Sequence, residues 1–165
     1  MIKIGINGYG RIGRVIHRIC DRNRNISVVS INDINPDIHN IAYLANYDST
    51  YGPRDERIRV AGKKLQYEEN EISVYHEAKI SDVSWDNEGI DILIDSSGIQ
   101  SNLKDALSLK DTIKHVIVTN SSIEVKVLWK VAVLKTVMGK ASMTTLIQTL
   151  FTLYILELTF LQESE

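Results

Sequence analysis

The chain reads as an α/β protein on a doubly wound, mostly parallel sheet, with a small antiparallel hairpin insertion and an apolar C-terminal tail of different character. Three observations predict this. Short apolar strands alternate with helix-forming stretches as far as Thr119; Gly8-Tyr9-Gly10-Arg11-Ile12-Gly13 separates the first strand from the first helix; and Asp33, 20 residues beyond Gly13, closes the second strand. Strand-helix-strand units take right-handed crossovers, so their ligands gather at the carboxyl ends of the strands.

Ile2 to Asn7 is the first strand, and Arg11 to about Asn23 the first helix, in which Ile12, Val15, Ile16, Ile19 and Cys20 recur at three and four residues as a buried stripe. Cys20 therefore reads as core filler. Ile26 to Asn32 is the second strand, Asp37 to Tyr47 a helix entered through Asn35-Pro36, and Asp48 to Pro53 a polar loop. Arg57 to Val60 and Lys64 to Tyr67 flank Ala61-Gly62-Lys63 as a hairpin, followed by a short strand from Glu71 to Tyr75. Ile90 to Asp95 is a continuous apolar strand expected in the sheet centre, Leu103 to Lys110 a helix and His115 to Thr119 a further strand.

The glycine triplet is the phosphate-binding fingerprint of Rossmann-like folds in its proper setting, between a strand and a helix. Gly8 permits the tight turn, Gly10 lets the backbone close on a pyrophosphate, and Gly13 lets helix and strand pack. The amides freed at the helix N-terminus then hold the anion. Asp33 is placed to accept from a ribose hydroxyl and repels a 2′-phosphate, which favours NAD over NADP. A strand-turn-helix with no ligand is the alternative. Gly8, Asp33, Ser97 and Thr119 all fall at or just after predicted strand ends, which groups them at one crevice. For Ser97 and Thr119, capping of a turn competes with cofactor contact.

The segments IKIGINGYGRIGR, INDI, YLANYDSTYG, VSWDNEGIDILIDSSG and KHVIVTNS, in that order, resemble the N-terminal cofactor domain of phosphorylating glyceraldehyde-3-phosphate dehydrogenases. The likeness runs from Met1 to about Ser121 and divides the chain into a NAD-binding domain at 1–121 and a divergent tail at 122–165. The resemblance implies that Arg11 and Ile12 meet the pyrophosphate, Asp33 the adenosine ribose, and Ser97, Gly98 and Thr119 the middle of the cofactor. Asn7 and Gly8 belong to the same turn. It also implies structural and subunit-contact roles for Asp48-Ser49-Thr50-Tyr51-Gly52 and a homo-oligomer. One departure is local: the family often carries an arginine near the adenine where this chain has Ala78 and Lys79.

The larger departures follow Ser121. In the family, a cysteine in an SNASCTTN-type segment attacks the aldehyde, and the adduct is oxidised to a thioester with hydride passing to NAD. This sequence holds one cysteine, Cys20, and its nearest echo of that segment, Lys140-Ala141-Ser142-Met143-Thr144-Thr145, offers a thioether that cannot become a thiolate. The family's general-base histidine and phosphate-holding residues lie in a second domain that the matching segments do not reach. Two functions are therefore expected: a NAD-binding domain that oxidises an aldehyde when joined to a complementary catalytic domain, or a pseudoenzyme that holds NAD or a protein partner. Erythrose 4-phosphate is the alternative substrate to glyceraldehyde 3-phosphate.

Composition limits the other classes. A net charge of −2, with tyrosines scattered away from any basic stripe, argues against nucleic acid. His17, His39, His76 and His115 lack metal-ligand spacing and read as surface or strand-edge residues, and Asp48, Asp55, Glu56, Glu68, Glu69 and Glu71 read with Arg54, Arg57 and Lys63 as a solvated face. A lone cysteine fits a reducing compartment, and a core strand that starts at Ile2 leaves no room for a signal peptide, so a cytoplasmic location is expected. In the tail, Leu146 to Leu161 is apolar on most sides but contains Gln148 and Glu157, which disfavours a membrane span. Helices packed on the sheet, or a shifted reading frame that leaves the tail poorly ordered, are the other accounts.

Overall fold

In the computed structural model the described residues are 1–48, 52–109, 111–113, 115–119 and 131–133. The elements are β1 (Ile2–Asn7), α1 (Arg11–Cys20), β2 (Ile26–Asn32), α2 (Ile38–Asn46), β3 (Tyr47–Asp48), β4 (Gly52–Pro53), β5 (Arg59–Ala61), β6 (Lys64–Tyr67), β7 (Asn70–Tyr75), β8 (Ile92–Asp95), α3 (Ser101–Ala106), β9 (His115–Val118) and β10 (Val131–Val133). Short 3-10 turns lie at Ile80–Asp82, Trp85–Glu88 and Leu107–Leu109.

The main sheet has the order β10-β9-β8-β1-β2-β7-β6-β5, and β3 pairs with β4 separately. Strands β7, β2, β1, β8, β9 and β10 run parallel, whereas β5, β6 and β7 pair antiparallel as the inserted hairpin and its neighbour. From β1 the chain passes through α1 to β2 on one side, and later returns to place β8 on the other. Strand order thus reverses at β1, and a crevice opens beyond its carboxyl end.

Side chains alternate across the parallel strands, so both sheet faces are buried. Ile4, Ile6, Ile31, Ile92 and Ile94 pack with Ile16 and Cys20 of α1 and Ile41 and Ala45 of α2 in one cluster. On the opposite face Leu93, Val116 and Val118 meet Ile80, Trp85, Ala106 and Leu109. Trp85 is 1% exposed and satisfies its indole by donating Nε1–H to the Ile80 carbonyl at 2.8 Å. Each fully buried large apolar side chain contributes about 1.5–3 kcal/mol, so these faces hold the sheet that presents the crevice.

Several boundaries differ from the periodicity reading. Helix α1 stops at Cys20, because Arg22 and Asn23 donate backward in tight turns and the Asn23 side chain accepts from the Asn25 amide. Helix α2 starts one residue after Asp37, whose carboxylate caps it by accepting from the amides of His39 and Asn40 at 2.9 and 3.1 Å. The third helix begins earlier than expected, at Ser101, and tightens into a 3-10 turn at Leu107. Tyr47, expected as the end of the helix, and Asp48 and Gly52–Pro53, expected as loop, form a two-residue antiparallel pair. In the tail, Val131–Val133 is strand; the helical, membrane-span and disorder expectations for the rest of 122–165 lie outside the described residues. Among the described residues no helix is long and apolar enough to cross a membrane.

Candidate functional site

A polar network stitches the carboxyl ends of the central strands together. Asn32 of β2 donates to the Asn7 side-chain carbonyl at 2.7 Å and to the Glu77 backbone carbonyl at 2.9 Å, while accepting from the Glu77 amide at 2.8 Å. Asn7 of β1 in turn donates to Asp95 of β8 at 2.8 Å, and Asp95 accepts from the Ser97 amide at 3.2 Å. All three side chains are buried, with Asn7 and Asn32 each 3% and Asp95 2% exposed. Buried polar groups persist when they are paired, and pairing here fixes four strand ends relative to one another.

Above this network the glycine loop turns from β1 into α1. Gly8 has φ of +84°, and a Cβ there would lie 2.5 Å from both Cα and N of Ser97, so the backbone just after β8 presses directly on the turn. A Cβ on Gly13 would lie 2.3 Å from the Gly8 carbonyl oxygen. Gly10 differs: among the described residues no heavy atom beyond its chain neighbours lies within 4 Å of its Cβ position, and its φ of −68° is open to any residue. Two of the glycines are thus required by the protein's own packing, and the third faces open space. Gly10 caps α1 without a side-chain bond, and no acidic residue occupies the first turn, which leaves first-turn amides available to an anion.

Asp33 follows β2 at the edge of the same opening. One carboxylate oxygen accepts from the Tyr9 amide at 2.8 Å and the other from the Asn35 amide at 2.9 Å. Each oxygen has a second lone-pair direction, so the oriented group can still accept two hydroxyl donors. A cleft of about 210 Å³ joins these parts; Asn7, Gly8, Gly10, Asn32 and Asp33 line it from one side, and Ser96, Ser97, Ile99 and Asn102 from the other. Ile34, Glu77 and Ala78 complete the lining. The open space at Gly10 and the oriented carboxylate of Asp33 thus lie in one cleft.

Of the residues singled out from sequence, Asn7, Gly8, Gly10, Asp33 and Ser97 come together in this cleft. The Ser97 hydroxyl oxygen also accepts from the Ile99 amide at 3.2 Å and from Asn102 at 2.9 Å, so its turn-forming role is occupied alongside its position in the lining. Arg11 is exposed at the start of α1, and Ile12 packs on the core cluster; neither lines the cleft. Gly98 sits in the turn after Ser97 with φ of +75°, and Thr119 donates its amide to the Asp95 carbonyl at 3.0 Å, both outside the lining. Asn32, Ser96, Asn102, Ile34 and Ile99 were not anticipated. A signal existed for Asn32, an amide residue at a strand end beside Asp33, but Asn102 and Ile99 reach the cleft through the fold of the β8–α3 turn.

Two expectations about charged groups need correction. His17, expected at the surface, is 1% exposed: it faces the core from α1, with Nδ1 2.5 Å from the Tyr9 hydroxyl and Nε2 3.4 Å from Asp21. Burial, reinforced by Arg54, holds its pKa well below 6.5, so the ring is neutral; with the Nε2–H tautomer directed at the Asp21 carboxylate, Nδ1 is the acceptor for the Tyr9 hydroxyl. Arg54, expected on a solvated face, has a side chain only 4% exposed; it pairs with Asp21 and donates Nε–H to the Ala45 carbonyl at 3.0 Å. Asp55, Glu56, Glu68, Glu69 and Glu71 are exposed. Among the described residues no cluster of His, Cys, Asp or Glu could hold a metal ion.

Comparison with known proteins bears on the same residues. Residues 2–103 match the family described as glyceraldehyde 3-phosphate dehydrogenase, NAD binding domain. Glyceraldehyde-3-phosphate dehydrogenase of Eremothecium gossypii is 38% identical over 123 residues, covering 74% of this chain and 37% of the relative. Glyceraldehyde-3-phosphate dehydrogenase 2 of Kluyveromyces marxianus is 40% identical over 123 residues, with the same coverage, and the Geobacillus stearothermophilus enzyme is 37% identical over 119 residues, covering 72% and 35%. The chain thus spans little more than a third of the length of the relatives it matches. Matching over most of the parallel sheet and its crevice, the chain belongs to the glyceraldehyde-3-phosphate dehydrogenase family, and its matched portion is that family's NAD-binding domain.

Proposed function

We propose that NAD lies across the cleft with its pyrophosphate against Gly10 and the first turn of α1, and its adenosine ribose hydroxyls on Asp33. The observation that carries this reading is the Asp33 carboxylate, held by the amides of Tyr9 and Asn35 beside the open space at Gly10. Ile34, 70% exposed, and Ile99, 41% exposed, stand at the rim; large exposed apolar side chains beside a polar cleft supply hydrocarbon surface for the adenine. An adenosine 2′-phosphate would meet the negative charge of Asp33, which supports NAD over NADP.

NAD, when bound, supplies a hydride acceptor for aldehyde oxidation. Within this family assignment, we infer that the chain contributes cofactor binding and that oxidation of glyceraldehyde 3-phosphate, the reaction in the relatives' name, requires a cysteine thiolate other than Cys20. Cys20, the one cysteine, is 1% exposed, and burial pushes its thiol up to about 12. A NAD-binding module that completes its chemistry with a second domain or a partner chain is the reading this supports. Amide chemical-shift mapping tests it: NAD should perturb Gly8, Gly10, Asp33 and Ser97 more strongly than the hairpin residues Lys64 and Glu71. Perturbation centred on the hairpin, or none at millimolar NAD, would overturn the placement.

A further inference from the structure

We propose that His17 is a positioning residue for the NAD site, acting through the hydroxyl and backbone of Tyr9 on the carboxylate of Asp33. The proposal deepens the reading above and rests on it.

Tyr9 stands between Gly8 and Gly10, where the loop is otherwise free of side chains. It is 3% exposed, so its ring is driven into the core, while the glycines on either side of it, Gly8 and Gly10, line the cleft. The buried phenol must find a partner, and it finds His17 Nδ1 at 2.5 Å. His17 lies two turns along α1, is itself 1% exposed, and is held from its other side by Asp21 at 3.4 Å and by the edge of Tyr67 at 6.3 Å between ring centroids. Asp21 is pinned by Arg54, which also lies over the Tyr67 ring at 5.4 Å. Residue 9 is therefore tethered at its side-chain end to a rigid buried assembly.

Its backbone end reaches Asp33, which lines the cleft. The Tyr9 amide donates to Asp33 Oδ2 at 2.8 Å, and the Tyr9 carbonyl accepts from Arg14 at 3.3 Å. Glycines on both sides give this peptide freedom that the phenol–imidazole bond removes. If that bond is lost, the amide swings, and the carboxylate loses one of the two donors that orient it. The glycine loop thus has an anchor inside the protein, independent of the diphosphate that it cradles.

The test is a double-mutant cycle read by NAD titration calorimetry on the full chain, with thermal melts as a folding check. Tyr9→Phe keeps the buried ring and should weaken NAD binding about three- to tenfold; His17→Leu should do the same, and His17→Gln, which retains an acceptor for the hydroxyl, should stay within about twofold of the parent. In an Asp33→Ala background, Tyr9→Phe should produce no further loss, because the carboxylate it orients is gone; a general weakening of the fold would instead add. Additive losses, or unchanged affinity in Tyr9→Phe while Asp33→Ala weakens binding, would overturn the role of His17 and leave the NAD site standing. Absence of NAD binding by the parent chain would overturn both.

Discussion

Replacing Gly10 by alanine separates the demands of the fold from those of the ligand. At φ −68° the extended backbone of Gly10 is open to an alanine, and among the described residues its methyl group would meet no heavy atom within 4 Å beyond its chain neighbours. Loss of unfolded-state freedom stabilises such a change by about 0.4–1 kcal/mol, while alanine is poorer than glycine at an N-cap by a similar amount. The two nearly offset, so the melting temperature should move by no more than about 2 °C for a chain of this size. Affinity should behave differently. A methyl group in the approach to the first-turn amides displaces the diphosphate, and each charge-assisted hydrogen bond so weakened is worth about 1.5–3 kcal/mol, giving a loss of about ten- to a hundredfold. Gly8→Ala and Gly13→Ala are the controls: their methyl groups would lie 2.5 Å from Ser97 backbone and 2.3 Å from the Gly8 carbonyl, so both should be destabilised with or without ligand. Calorimetric NAD titration beside differential scanning calorimetry reads both axes. Unchanged NAD affinity in a well-folded Gly10→Ala protein would refute the placement of the diphosphate.

Other outcomes follow from the buried groups. His17 has its folded pKa held below 6.5, so the unfolded chain binds the extra proton first and stability falls as pH drops below 6.5. That residue alone should remove up to about 1.4 kcal/mol per pH unit in urea unfolding between pH 6.5 and 5.5, and His17→Gln should flatten the slope; equal slopes would contradict a neutral buried imidazole. Arg54→Ala leaves Asp21, with a side chain 12% exposed, without its cation and should destabilise by about 3–5 kcal/mol in the same assay. Cys20 should resist thiol reagents at pH 8 in the folded protein and react once unfolded, since burial pushes its thiol up to about 12. The chain alone, given glyceraldehyde 3-phosphate, NAD and phosphate, should reduce no NAD; steady turnover would contradict the inferred need for an external nucleophile.

Parallel strands β1, β2, β7, β8 and β9 were legible as short apolar runs, whereas β10, at Val131–Val133 in the tail, was not, and the glycine spacing marked the strand-to-helix junction. Asp33 was legible for the same reason: a carboxylate closing the next strand has one place to go in this topology. Helix ends were less so, since Asn23 and Asp37 set them through local side-chain bonds that periodicity does not register. His17 was misplaced because a histidine next to Ile16 interrupts the apolar stripe in composition but not in direction; the facing Tyr9 hydroxyl and the Asp21 carboxylate make its burial tolerable. Arg54 was misread similarly, as its partner Asp21 is 33 residues away in sequence. The Asn32–Asn7–Asp95 network joins strands far apart in the chain, and no short motif could announce it.

The most direct test of the NAD site is titration of the folded chain and its Asp33→Ala variant with NAD and, separately, NADP. Saturable NAD binding that exceeds NADP binding and weakens by about 1–3 kcal/mol on loss of the carboxylate is the predicted result. Equal affinity of the two proteins for NAD would contradict the assignment of Asp33 to the adenosine ribose.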